Sequence, residues 1–239
     1  MSVIAPPAPQ PRLSIGVTGH RAGHAAFCAN EDRIAAAIEQ VFALVAASAG
    51  EAPIRLHSLL ANGTDQHAAQ SALERGWELV APLPFGLDLN VAINAVPEGL
   101  AEADRLLAGD EATCPETRQR AAAIRQLASR AVVFELAERD ALLTRLFREK
   151  LAAPTDIAAA EAFSVRCSAR VALAGRVMIE QSDLIVGVWD GLSRAYVGGT
   201  GHTILQALDH GAPVVWIDPD APENWQILRA PEALAALSR

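Results

Sequence analysis

Short apolar runs rich in β-branched residues alternate along this chain with segments of helical period. That alternation restricts the fold more than any other feature. "LSIGVTG" (13–19) is such a run, closed by glycine, and reads as a buried strand. Ile34, Ile38, Val41 and Val45 then repeat at helical spacing, with Asn30 as the expected N-cap and a helix running to about Ser48. The plan recurs. "IRLHSLLA" (54–61) is a second strand, "NGTD" a turn, and Ala68, Ala69, Ala72 and Leu73 a helix face that Gly76 stops. "WELVAPLPF" (77–85) is a third strand, ending in a proline-marked loop. "AVVFEL" (131–136), "SDLIVGVWDG" (182–191) and "PVVWID" (213–218) supply the rest. Between them lie helices over "PEGLAEADRLLAG", from Pro115 onward, to about Leu151, and from Asp156 to about Gln181. A last helix begins at Thr200 and ends at Gly211.

Such alternation implies an α/β fold: a Rossmann-like, mainly parallel sheet of about six strands with helices on both faces. The expected organisation is an extended or disordered arm over 1–11 and a ligand-binding domain over 12–220. A helical insertion falls at about 86–130 and 137–181, and a C-terminal extension over 221–239. Four of the 14 prolines fall in the arm.

Composition narrows the function classes. The net charge of −8 argues against a general nucleic-acid binder. The three cysteines, Cys28, Cys114 and Cys167, are odd in number and far apart, which fits reduced thiols in the cytoplasm. No apolar run approaches the roughly 20 residues that cross a bilayer, and the N-terminus lacks a signal-peptide pattern.

In a parallel sheet, ligands sit beyond the carboxyl ends of the strands. That rule gathers on one rim the loops after the first, second, third and fifth strands and the turn into the last helix, and three stretches there carry the candidates. The first, "TGHRAGH", brings Gly19 for close backbone approach, His20, and Arg21 for an anion. The second, "ANGTDQ", brings Asn62, Gly63 and Asp65, with Thr64 or Asp65 as the expected cap of the next helix. The third brings Asp190 and Gly191, then Gly198, Gly199, Thr200 and Gly201 at a helix N-terminus, where free N–H groups and the helix dipole favour an anion. Phe85 or Trp189 is the expected base-facing aromatic. Asp65 and Asp190 are the candidate catalytic carboxylates, and no catalytic role is assigned.

Several motifs are absent. The loops carry neither GxGxxG nor a P-loop GK[ST], and no GxSxG elbow or HExxH occurs. His20 and His24 are four apart but in a loop, so no metal site is expected, nor any cofactor. Arg166, Arg170 and Arg176 on the long helix read as surface residues.

"GVTGHR", "LANGTDQHAAQSALERGWELVAPLPF" and "SDLIVGVWDG…GGTGHTILQALDHGAPVVWI", in this order, resemble the SLOG superfamily over about residues 12–218. That group includes the DNA-processing protein A fold, the "lonely guy" cytokinin-activating proteins and bacterial stand-alone or sensor-like relatives. The resemblance implies a Rossmann-like fold that binds a nucleotide or nucleotide-derived ligand, with phosphate binding at Gly198, Gly199 and Thr200. It also implies a homodimer. Some branches hydrolyse nucleoside monophosphates at the N-glycosidic bond, through a PGGxGTxxE motif. Here Val197 stands for the proline, His202 for the threonine and Leu205 for the glutamate. The paired arginine of that motif set has no match. The expectation is therefore a binding or sensing domain, with phosphoribohydrolase or a vestigial structural site as alternatives. The expected partner is a small ligand, not nucleic acid or membrane.

Overall fold

The computed structural model describes residues 11–191 and 197–237. All but the last residue of the expected arm lies outside that range. Seven strands form one sheet: β1 (Leu13–Gly19), β2 (Ile54–His57), β3 (Glu78–Leu83), β4 (Val132–Glu135), β5 (Leu184–Val188), β6 (Val214–Ile217) and β7 (Gln226–Leu228). The helices are α1 (Ala25–Ala49), α2 (Thr64–Glu74), α3 (Leu87–Asn94), α4 (Leu100–Leu107), α5 (Pro115–Ser129), α6 (Asp140–Ala152), α7 (Ile157–Glu180) and α8 (Thr200–Asp209).

The sheet order is β4-β3-β2-β1-β5-β6-β7. Every pairing is parallel except that of β7 with β6. The chain runs outward from β1 to β4, then crosses back to β5 on the other side of β1. The strand order thus reverses between β1 and β5, which makes their carboxyl ends the place for a ligand crevice. Gly19 and Val188, the last residues of these two strands, are register partners.

β5 and β6 are apolar on both faces. Along β5, Val186 and Val188 join one buried cluster while Ile185 joins another. Along β6, Val215 and Ile217 join the first, and Val214 and Trp216 the second. Alternate side chains point to opposite faces, so each strand feeds two cores. The second core includes Met178 of α7 and Ile204 of α8. A Cβ at Gly187 would stand 2.7 Å from Ile204 Cδ1, so that glycine lets α8 lie close on β5.

Several elements depart from the sequence expectation. α1 starts at Ala25, and Asn30 marks a kink within it (φ −131°, ψ 21°) rather than a cap. β2 ends at His57: Ser58 N–H still bonds Val80 O of β3 at 3.0 Å, but Leu60 takes a positive φ and the chain leaves the sheet. α3 opens the expected helical insertion directly after β3, where no helical period marks it, and buries Leu89, Val91, Ala92 and Ile93. β7 is three residues long, too short for any alternation to mark it. Asp156, by contrast, caps α7 as its position suggests, accepting from the N–H groups of Ala158 and Ala159.

Candidate functional site

A cleft of about 530 Å³ opens at the switch point, within the range of small-molecule sites. The β1–α1 loop lines it with Gly19, His20, Arg21, Gly23 and His24, and the next turn with Ala61 and Asp65. Gly198, Gly199, Thr200 and Thr203 line it from the start of α8, and Val171, Gly175 and Met178 from α7.

The α8 end is built for close approach. Gly198 has φ +77°, and a Cβ there would sit 2.5 Å from the carbonyl oxygen of Ser168 on α7. Gly199 is the N-cap residue, no side chain caps the helix, and its first turn holds no acid. Its leading N–H groups therefore have no helical partner and, among the described residues, no side-chain cap. Gly198 N–H itself meets His202 Nδ1 at 3.4 Å. Thr203 bonds back to Gly199 O through its N–H (3.0 Å) and its hydroxyl (3.2 Å), which fixes the turn.

The floor is the turn between β2 and α2. Gly63 takes φ +95°, and a Cβ there would sit 2.5 Å from Ala22 N. Only a residue without a Cβ fits that conformation beside that backbone. The next residue, Thr64, donates both its N–H (3.2 Å) and its hydroxyl (3.0 Å) to His20 O. The two loops are thereby tied together. Neither Thr64 nor Asp65 caps α2, contrary to expectation, because the threonine hydroxyl is spent on His20. Gly19 is needed for the same contact: a Cβ would overlap the Thr64 side chain at 2.4–2.5 Å.

Asp65 is 5% exposed, and its Oδ2 accepts Ala61 N–H at 3.4 Å. Burial pushes its carboxyl up to about 7, against the pull of the Ala61 N–H and the Arg21 guanidinium. Arg21 is exposed where it lines the cleft.

Asp190 follows the end of β5 by two residues. It does not line the cleft floor but faces two imidazoles, His20 Nε2 at 3.5 Å and His24 Nε2 at 3.4 Å. The two rings stack in parallel, centroids 3.6 Å apart and planes within 3°. His20 Nε2 accepts the backbone N–H of Asp190 at 3.1 Å. Burial, then the neighbouring His24, hold His20 below the usual histidine range, while Asp190 pulls upward.

Other sequence candidates lie elsewhere. Asn62 and Gly63 line a separate hollow of about 320 Å³ with Gln66, His67 and Arg120. Gly191 borders Asp190 without lining the cleft, and Gly201 is buried in the first turn of α8. The expected base-facing aromatics are not available: Phe85 is 1% exposed and Trp189 fully buried, both packed in the cores. Leu205, at the hydrolase glutamate position, packs against the second core. On α7, Arg170 bonds Pro84 O and Arg176 pairs with Glu180. Arg166 lines a groove between α6 and α7. The α7 wall went unread in the sequence, although Gly175, a glycine inside a long helix, was the available signal. It faces Thr203 of α8, whose Oγ1 would lie 3.4 Å from a Cβ there.

Among the described residues, no helix is long and apolar enough to cross a membrane. No protein-family model matches the chain, and no curated protein matches it. Among solved structures, the chain is similar to the X-ray structure of DNA processing protein A (DprA) from Streptococcus pneumoniae, with 14% sequence identity and a TM-score of 0.44. The match covers 94% of this chain and 61% of that one, so this chain spans less than two thirds of that protein's length. The architecture itself is a Rossmann-like α/β fold whose cleft sits where its strand order reverses.

Proposed function

We propose that this cleft binds a nucleotide or nucleotide-derived ligand through its phosphate, as a binding or sensing domain. One observation carries the reading: the uncapped, glycine-led N-terminus of α8 lines the same cleft as Arg21. Backbone N–H groups at a helix start, with the positive end of the helix dipole, suit a phosphate. Arg21 adds a fork of donors and a full charge. Thr18 and Asp65, which also line the cleft, supply a hydroxyl and a carboxyl for sugar hydroxyls.

The test is a thermal-shift and calorimetric screen of nucleoside monophosphates, ADP-ribose, NAD, cyclic nucleotides and inorganic phosphate. Binding by at least one nucleotide is expected, and its loss in a Gly199→Val, Thr200→Val double variant. Binding that survives that double change would place the phosphate elsewhere. Failure of every ligand at millimolar concentration would favour a vestigial site.

A second reading is N-glycosidic hydrolysis of a nucleoside 5′-monophosphate. It is favoured by Asp65, a buried carboxyl titrating near neutrality inside the cleft. Release of free base that disappears in Asp65→Asn would support it. Binding without base release supports the sensor.

A further inference from the structure

We infer that His20, His24 and Asp190 form a binding site for a divalent transition metal ion of the zinc type. The sequence shows only two histidines four apart in a loop. The fold adds a carboxylate from the other side of the switch point, because Gly19 at the end of β1 and Val188 at the end of β5 are register partners.

The geometry is that of three ligands around one point. The candidate donor atoms all lie within 4.8 Å of one another. Both histidine Nε2 atoms approach the same oxygen, Asp190 Oδ2, at 3.5 and 3.4 Å. Bonds of about 2.0–2.2 Å in a tetrahedral site place neighbouring donors roughly 3.3–3.5 Å apart. Two edges of such a tetrahedron are thus already at the required length. The rings stack in parallel, so their lone pairs lie in separate planes, and the half-exposed His24 ring turns to aim Nε2 at an ion held by His20 and Asp190.

The protonation pattern suits a metal as well. His20 Nε2 acts as the acceptor for Asp190 N–H, so it carries a lone pair and the ring proton sits on Nδ1. An ion takes over that lone pair from the amide. Two neutral imidazoles and one carboxylate are a common donor set for zinc and its neighbours in the transition series. Three protein ligands leave a coordination position open. His20 and His24 both line the cleft, so that position is open to water or to a ligand oxygen.

This inference does not rest on the nucleotide reading, because the probe is the metal alone. Calorimetry of the full chain with zinc chloride should show uptake of one ion per chain. Cobalt(II) should give the intense visible bands of a four- or five-coordinate site. His24→Ala and Asp190→Ala should each weaken zinc binding at least about 100-fold, since each removes a direct ligand. His67→Ala, which alters the separate His67–Glu31 pair, should leave it unchanged. If Asp190→Ala fails to fold by circular dichroism, His24→Ala decides, because its side chain is 38% exposed and its loss opens no core cavity. No zinc uptake by the wild type, uptake that persists in His24→Ala, or only the weak spectrum of six-coordinate cobalt would each overturn the assignment.

Discussion

Asp65 on the cleft floor and His57 at the end of β2 belong to one short segment, and both are almost fully buried, at 5% and 2% exposure. Burial moves them in opposite directions. The Asp65 carboxyl rises to about 7, while the His57 imidazole falls to about 4, with the Arg55 charge as the second cause. Both shifts favour the neutral form, because a low-dielectric interior penalises whichever form is charged. What separates the two is access. Asp65 lines the cleft, where a ligand can reach it. His57 is enclosed, and neither of its ring nitrogens has a hydrogen-bond partner among the described residues. A buried polar group facing a cleft is available for function. One enclosed in the core only costs stability.

The largest effect expected on this pair comes from the turn between its members. Gly63→Ala forces a side chain into φ +95° and onto the backbone of Ala22. It should cost on the order of 5 kcal/mol, or prevent folding outright, and so displace Asp65. Urea denaturation measures it; a loss below about 1 kcal/mol would show that the loop yields freely and that the contact with the β1–α1 loop is not tight.

Asp65→Asn comes next. The folded-state value of about 7 lies above the ordinary 3.8, so the folded protein holds this proton more tightly than the unfolded chain does. The resulting penalty is absent below pH 3.8, grows as pH rises to about 7 and is constant above. That span amounts to roughly 4 kcal/mol. The asparagine variant should therefore be more stable than wild type at pH 8, with the advantage shrinking to nothing near pH 3.5. An advantage that is equal at both pH values would mean that the carboxyl is not neutral in the fold.

His57→Leu has the smaller effect and the opposite sign with pH. Its folded value of about 4 lies below the ordinary 6.5, so stability is fully present above pH 6.5 and is lost as pH falls to about 4. The loss is roughly 3 kcal/mol. The leucine variant should resist acid better than wild type by about that amount. Between about pH 4 and 6.5 the two wild-type slopes cancel, so only the single variants expose them. Denaturation series across pH should therefore show the two variants departing from wild type in opposite directions over the same window, about pH 4 to 7; parallel curves would break the comparison.

The sequence carried the architecture well because periodicity is a local property. β1 is a run whose apolar residues the first core needs, β5 and β6 are runs that both cores need, and Asp156, Pro115 and Thr200 sit at or beside the helix starts that their backbone chemistry favours. Gly198 and Gly199 were readable as a glycine-led helix start for the same local reason. α3 has no amphipathic period to mark it within the expected helical insertion, because its eight residues are short and buried nearly all round, with Asn90 and Asn94 among the apolar side chains. Phe85 was misplaced because an aromatic at a strand end reads equally as ligand-facing or as core.

By itself, then, the sequence determined the alternating strands and helices, the parallel sheet and the glycine-led helix start, since these follow from spacing and backbone preference within a few residues. The tertiary structure alone decided three things. It put Thr64 against Gly19, so that this glycine serves packing first. It buried Asp65 beside a cleft and so set its protonation. It carried Asp190 from β5 to the two histidines that follow β1. Each depends on distances between residues far apart in the chain, and desolvation and coordination geometry exist only once the folded chain has fixed those distances.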